Sequence, residues 1–221
     1  MPELLDSIQI ETAAQPDASV IWMHGLGADG NDFVPVLDQL HLSDRAIRFI
    51  FPHAPVMPVS INNGQAMRAW YDVLSSDFAS RSDETTLRSS QVLIEALIAR
   101  EIERGIAASR IVIAGFSQGG AMTLQTGLRY SETLAGLMVL SSYVPLPESL
   151  PAEAHSANRN VPIFMAHGIN DPVIPIAAAQ HSRDLLQSLG YPLQWHQYSM
   201  PHSVCMEEIE DIGIWLREVL P

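Results

Sequence analysis

Apolar positions along the chain fall into two rhythms. Short, almost uninterrupted apolar runs recur at Ser19–His24 (SVIWMH), Ile47–Phe51, Arg110–Phe116, Leu134–Ser141, Val161–Ala166 and Leu193–Tyr198. Between them the spacing turns helical. Asn31–Leu40 puts Phe33, Val36, Leu37 and Leu40 on one face. A helix opening at Asp83, a good N-cap, carries Leu87, Ile94, Ile98, Ile102 and Ile106 close to one stripe. Gln118–Tyr130 and Ile176–Leu189 also read as helices, and Val204–Leu220 turns Ile209, Ile212, Leu216 and Val219 inward. Strands that are apolar throughout, and do not alternate, are covered on both faces. Their alternation with helices predicts a parallel sheet with right-handed crossovers, and so a three-layer α/β sandwich with a mostly parallel central sheet. The proline-rich stretch Pro52–Gly64 reads as a long irregular loop, and Ser75–Asp83 as a polar one. No repeat or low-complexity linker breaks the chain, so residues 1–221 are expected to form one domain.

Composition narrows the partners. Hydrophobic residues make up 47% and charged residues 17%, which excludes a disordered chain. Acidic residues outnumber basic ones 25 to 12, for a net charge of −13, and every basic residue is an arginine. That field repels phosphate backbones, so no nucleic-acid partner is expected, nor docking on anionic lipid through a basic patch. Without lysine there is no Walker A loop and no Schiff-base chemistry. The one cysteine, Cys205, leaves no intramolecular disulfide or multi-cysteine metal site, and it reads as a small apolar residue more than as a reactive thiol. No run approaches the ~18 apolar residues of a membrane span, and the first residues lack a leader pattern. A soluble, cytoplasmic protein, monomer or homodimer, is expected, with no stable membrane insertion.

The strongest chemical signal is Gly115-Phe116-Ser117-Gln118-Gly119-Gly120, a G-x-S-x-G pattern between a strand and a helix. That context is what a nucleophile elbow requires, with small residues two before and two after the serine. A serine hydroxyl needs a base, and in this arrangement the order is serine, acid, histidine. Downstream, His181 lies in a helix pattern and His196 in a strand, whereas His202 sits between the last strand and the last helix, free to reach the strand ends. Of the later aspartates, Asp184 and Asp211 read as helical and solvated, and Asp171 falls in a strand-end loop. His24-Gly25-Leu26-Gly27, after an early strand, is similar to an oxyanion loop, with the N–H groups of Leu26 and Gln118 as donors. His24 itself, ahead of the serine and ending a buried strand, reads as a structural ring bonded to loop backbone. Met57, Ile61, Met67 and Trp70 are compatible with core packing, but on an irregular proline-rich segment they point to an acyl groove, with Val173 lining the same groove.

These residues resemble the bacterial carboxylesterase and acyl-protein thioesterase family of α/β hydrolases. The likeness runs over nearly the whole chain, through HGLGADGNDF at 24–33, APVMPVSINNGQAMRAWYD at 54–72, GFSQGG at 115–120, SSYVP at 141–145, HGINDPVIP at 167–175 and YSMPHS at 198–203. It implies an α/β-hydrolase sandwich without a separate cap domain. It also implies Ser117, Asp171 and His202 as a triad, with Leu26 and Gln118 as oxyanion donors. One departure is visible: many members carry Met-Pro-Ser-Trp where this chain has Met67-Arg68-Ala69-Trp70, which bears on the acyl pocket and not on the triad.

The expected activity is hydrolysis of short- to medium-chain acyl esters or thioesters through an acyl-enzyme, on small molecules, acylated proteins or lysophospholipids, with no cofactor and no metal. Two alternatives stand beside it. One is a non-catalytic module that binds an acylated partner, against which the presence of all three triad residues argues. The other is a peptidase or lactonase on the same machinery.

Overall fold

The computed structural model describes residues 4–78 and 81–221, so residues 79 and 80 of the polar stretch 75–83 fall outside it. In chain order the strands are β1 (Ser7–Glu11), β2 (Ala18–Met23), β3 (Ile47–Pro52), β4 (Val56–Val59), β5 (Gln65–Arg68), β6 (Ile111–Phe116), β7 (Gly136–Leu140), β8 (Ile163–Gly168) and β9 (Leu193–Tyr198). The α-helices are α1 (Glu84–Glu103), α2 (Gln118–Gly127), α3 (Leu150–Glu153), α4 (Ile176–Ser188) and α5 (Met206–Val219). Seven strands make the central sheet in the order β1-β3-β2-β6-β7-β8-β9. All its pairings are parallel except β1 with β3.

The continuous apolar strands follow from two covered faces. Along β2, Ile21 and Met23 enter one core with α1, α2 and α4, while Val20 and Trp22 enter a second core with α5. β6 divides in the same way, Ile111 and Ile113 against Val112 and Ala114, and so do β7 and β8. These are the three layers that the pattern predicts. α1 begins where expected: the Asp83 carboxylate accepts the Thr86 N–H at 2.8 Å. It ends earlier than its apolar stripe, because Gly105, at φ 95°, takes the left-handed position after the helix. Ile106 therefore reaches the core from a loop.

Three elements depart from the sequence reading. β1 was not anticipated; its five residues form a half-buried antiparallel edge with little apolar signal. The stretch 31–40 is not an α-helix but a seven-residue 3-10 turn, Val34–Leu40. With Pro35 at its start and a left-handed His41 at its end, it is too short for cooperative α-helix formation, though Phe33, Val36 and Leu40 are buried as the pattern required. The stretch 52–64 is more ordered than an irregular loop. β4 pairs antiparallel with β5, and left-handed Asn63 and Gly64 help reverse the chain between them. Pro58 is tolerated because a two-strand ribbon leaves strand edges unpaired.

Glu208, in the first turn of α5, is fully buried, and neither carboxyl oxygen makes a well-formed hydrogen bond. Burial pushes its pKa up to about 8; the backbone at Cys205 offsets only part of that, and Asp211 adds to the rise. The folded protein therefore holds a proton that the unfolded chain releases near 4.5. This neutral-acid stability is complete below that value and is lost as pH rises towards about 8, at roughly 1.4 kcal/mol per pH unit. Glu208→Gln should flatten this loss, since a buried amide has a cost that does not vary with pH. Urea unfolding of both proteins from pH 5 to 8 checks it: the difference should move steadily in favour of the variant, and parallel curves would contradict the buried neutral acid.

Candidate active site

The site gathers at the carboxyl ends of the parallel strands. β6 ends at Phe116 and α2 begins at Gln118, so Ser117 makes the whole turn, with φ 54° and ψ −117°. A non-glycine residue there carries strain of about 1–3 kcal/mol, which its surroundings must hold. They do so through the main chain. The Ser117 N–H donates to Leu140 at 2.8 Å, and its carbonyl accepts from the Ala121 N–H at 3.1 Å and from the Ser142 hydroxyl at 2.6 Å. The turn is tight enough that a Cβ on Gly115 would come within 2.2 Å of Gly119 backbone, and one on Gly119 within 2.3 Å of the Met23 carbonyl.

His202 and Asp171 meet Ser117 from two other loops. The His202 Nε2 lies 2.9 Å from the Ser117 Oγ, and its Nδ1 lies 2.6 Å from the Asp171 Oδ2. A carboxylate only accepts, so Nδ1 carries the proton and Nε2 offers its lone pair to the serine hydroxyl. The Asp171 side chain is fully buried, and its other oxygen accepts the N–H groups of Val173 and Ile174 at 2.8 and 2.9 Å. Its orientation is thereby set from both ends. Buried His167 donates from Nε2 to the Ile174 carbonyl at 2.8 Å and lies 3.4 Å from the Asp171 Oδ2. Burial lowers its pKa and keeps it neutral. The expected readings of His181 and His196 fit their places: His181 is exposed on α4, and His196, on β9, stacks on Phe164 at 4.7 Å.

The oxyanion loop follows β2. Among the described residues, no protein acceptor takes the N–H of Leu26 or of Gln118, and both residues line the small cavity beside Ser117. Two neighbours hold this loop. The Gly27 N–H donates to Arg68 at 2.8 Å. His24, its pKa lowered by burial, donates from Nδ1 to the Gly25 carbonyl at 2.7 Å and accepts the Ala54 N–H on Nε2 at 3.1 Å. It is the structural ring that its position suggested. The Gln118 side chain does a second job: its Oε1 accepts the Trp70 N–H at 2.7 Å, and its Nε2 donates to the Tyr71 carbonyl at 2.6 Å.

The groove residues expected from sequence divide. Val173 lines the cavity beside Ser117. Met67 is partly buried against the core, near Gly27. Ile61 is exposed in the turn between β4 and β5, outside that cavity. Trp70 is fully buried and does not face an acyl chain; its indole N–H donates to the His24 carbonyl at 2.9 Å. The irregular-loop argument misplaced it, because the hairpin folds its far end into the core. Sequence reasoning missed Tyr71, Val73, Arg81 and Tyr143 around the same cavity of about 50 Å3. Tyr143 also borders a larger apolar groove of about 480 Å3, walled by Phe78, Val144, Pro175, Ala178 and Leu185. Tyr71, Tyr143 and Pro175 fall in stretches that stood out in the sequence, 54–72, 141–145 and 167–175, but nothing there marked them as cavity walls. Among the described residues no group of three or more His, Cys, Asp or Glu side chains is placed to hold a metal ion, and no helix is long and apolar enough to cross a membrane.

Known proteins resemble the chain in sequence and in fold. A family model described as phospholipase/carboxylesterase matches residues 6–220. Acyl-protein thioesterase 1 of Cryptococcus neoformans var. neoformans is 37% identical over 100% of both chains. Acyl-protein thioesterase 1 of Neurospora crassa is 40% identical over 96% of this chain and 91% of its own. These two relatives are fungal, whereas the resemblance read from the sequence was to bacterial members of the family. Among solved structures, Arabidopsis thaliana SOBER1 superposes with a TM-score of 0.87 at 32% identity, over 92% of this chain and 99% of that one. Zea mays acyl-protein thioesterase 2 does so at 0.86 and 25% identity, over 98% and 99%.

Trp70→Ala should act through packing. Loss of a buried tryptophan costs about 3–5 kcal/mol and removes the indole bond to the His24 carbonyl at the start of the oxyanion loop. Stability should fall, and kcat/KM for acetyl and for long-chain esters should drop by similar factors. A loss confined to long chains would return Trp70 to the groove.

Proposed function

Since the chain belongs to the phospholipase/carboxylesterase family and is a serine hydrolase of ester and thioester bonds, we propose that Ser117 is its nucleophile, His202 its general base and acid, and Asp171 the acid that orients His202. The observation that carries this reading is the unbroken relay from Ser117 Oγ through the two His202 nitrogens to Asp171, at 2.9 and 2.6 Å. In the first step the Ser117 oxygen bonds to the acyl carbon while His202 Nε2 takes its proton. Asp171 holds the imidazole tautomer and stabilises the imidazolium that forms. The carbonyl oxygen becomes an oxyanion facing the N–H groups of Leu26 and Gln118, at the N-terminus of α2. His202 returns the proton to the leaving alcohol or thiol. Water, deprotonated by His202, then attacks the acyl-enzyme and releases the acid.

The apolar groove past Tyr143 supplies the place for an acyl chain, and its open side leaves room for a leaving group as large as a protein. An acylated protein or a small acyl thioester is the substrate that this combination fits, consistent with the thioesterase names of the fungal relatives. A groove of about 480 Å3 takes a medium-length chain, each buried CH2 contributing about 0.8 kcal/mol.

Ser117→Ala should lower kcat by about 10⁴–10⁶-fold, with the fold intact. A fluorophosphonate probe should label Ser117 in the parent and nothing in the variant; turnover in the alanine protein would remove Ser117 from the mechanism. Ala178→Phe should fill the groove. Its kcat/KM should fall at least tenfold for dodecanoyl thioesters while acetyl esters change far less. A loss that ignores chain length would put the acyl chain elsewhere.

A further inference from the structure

Arg81 occupies an unusual place. It is the one charged side chain in the lining of the small cavity that also holds Ser117, Gln118 and Tyr143. Its backbone is pinned: the Arg81 carbonyl accepts the Leu74 N–H at 2.8 Å, and Val73 and Ser82 form an adjoining bridge. The guanidinium lies over the Phe78 ring, 4.9 Å from its centre. Phe78 in turn meets Tyr143 edge-on at 5.0 Å. Arg48, Arg88, Arg129 and Arg217 each hold a carboxylate within 2.8 Å. Arg81, like Arg45, Arg68, Arg100 and Arg159, has no carboxylate within 4.0 Å among the described residues, but of these five it alone lines the cavity at Ser117. Arg81 is thus an unpaired, part-buried cation in the wall of the cavity that holds the nucleophile. A substrate that fills this cavity can supply its counter-charge.

We infer that Arg81 is a specificity-determining residue that receives an anionic group, carboxylate or phosphate, on the leaving-group side of the scissile ester or thioester. This rests on the acyl-enzyme reading given above. The side follows from the walls. Phe78 and Tyr143 border the large apolar groove, whereas Arg81 borders the cavity at Ser117 and not that groove. An acyl chain running past Tyr143 brings no charge to Arg81, so the anion belongs to the part that departs. A guanidinium presents a planar fork of donors suited to both carboxylate and phosphate.

The test uses matched pairs that differ only in that charge. One arm compares S-octanoyl-N-acetylcysteine with its C-terminal amide; the other compares 1-octanoylglycerol 3-phosphate with 1-octanoylglycerol. For each pair the readout is the ratio of kcat/KM, anionic over neutral, so any general loss of folding or catalysis divides out. The full-length parent should favour the anionic member in at least one arm. Arg81→Gln should lower that ratio about tenfold, as expected when a charge-assisted hydrogen bond is lost, and Arg81→Lys should retain most of it. The arm that responds identifies the anion as carboxylate or phosphate. A parent that prefers the neutral member in both arms, or an Arg81→Gln ratio equal to the parent's, overturns the inference. A change in kcat alone, equal for charged and neutral members, would make Arg81 a packing residue. Full turnover by Ser117→Ala would sink the acyl-enzyme reading by itself, so the two failures are distinguishable.

Discussion

The backbone of Ser117 is the constraint on which the remaining architecture rests. A residue held at φ 54° relaxes unless the chain on every side resists. The resistance comes from two strands and a helix: Leu140 at the end of β7, Ser142 just beyond it, Ala121 in α2 and the Met23 carbonyl, at the end of β2, against which Gly119 packs. Each lies where it does because β2, β6 and β7 are adjacent, parallel and in register, Met23 beside Gly115 and Phe116 beside Leu140. The two cores that bury the strands are therefore part of the chemistry, since they keep the turn from unwinding.

Electrostatics within the site follows from what burial does to each group. His24 and His167 are neutral and spend their hydrogen bonds on loop backbone, so they shape the site without adding charge. Asp171 is dry but accepts two backbone N–H groups and His202 Nδ1. A buried carboxylate is tolerable only with that degree of satisfaction. The net charge of the whole chain says little about this region: the cavity at Ser117 is lined by one cation and no carboxylate.

The layers, and the strand ends that carry Ser117, Asp171 and His202, were legible in the sequence because each rests on local signals: apolar runs, glycine spacing and chain order. Trp70, Arg81 and the groove along α4 were not. Their roles depend on contacts between segments distant in sequence, such as the Gln118 amide on residues 70 and 71 and Phe78 against Tyr143. Periodicity carries no trace of such bonds. The 3-10 turn at 34–40 misled for a different reason: its apolar spacing is helical, but Pro35 and its length select the tighter winding. β1 escaped notice because a five-residue edge strand needs little apolar sequence when its partner supplies the register.

The Gln118 clamp has a consequence for how this site divides its work. Its amide touches only main-chain atoms of Trp70 and Tyr71, never their side chains. The turn that carries the Gln118 N–H is thus tied to the segment after β5 through groups that every amino acid except proline shares. Side chains beside the clamp, Tyr71 and Val73 at the cavity wall among them, are therefore not part of the hydrogen bonds that hold it. Selectivity and reactivity thus rest on different atoms, the first on side chains at the cavity wall and the second on main-chain groups that carry no side-chain identity.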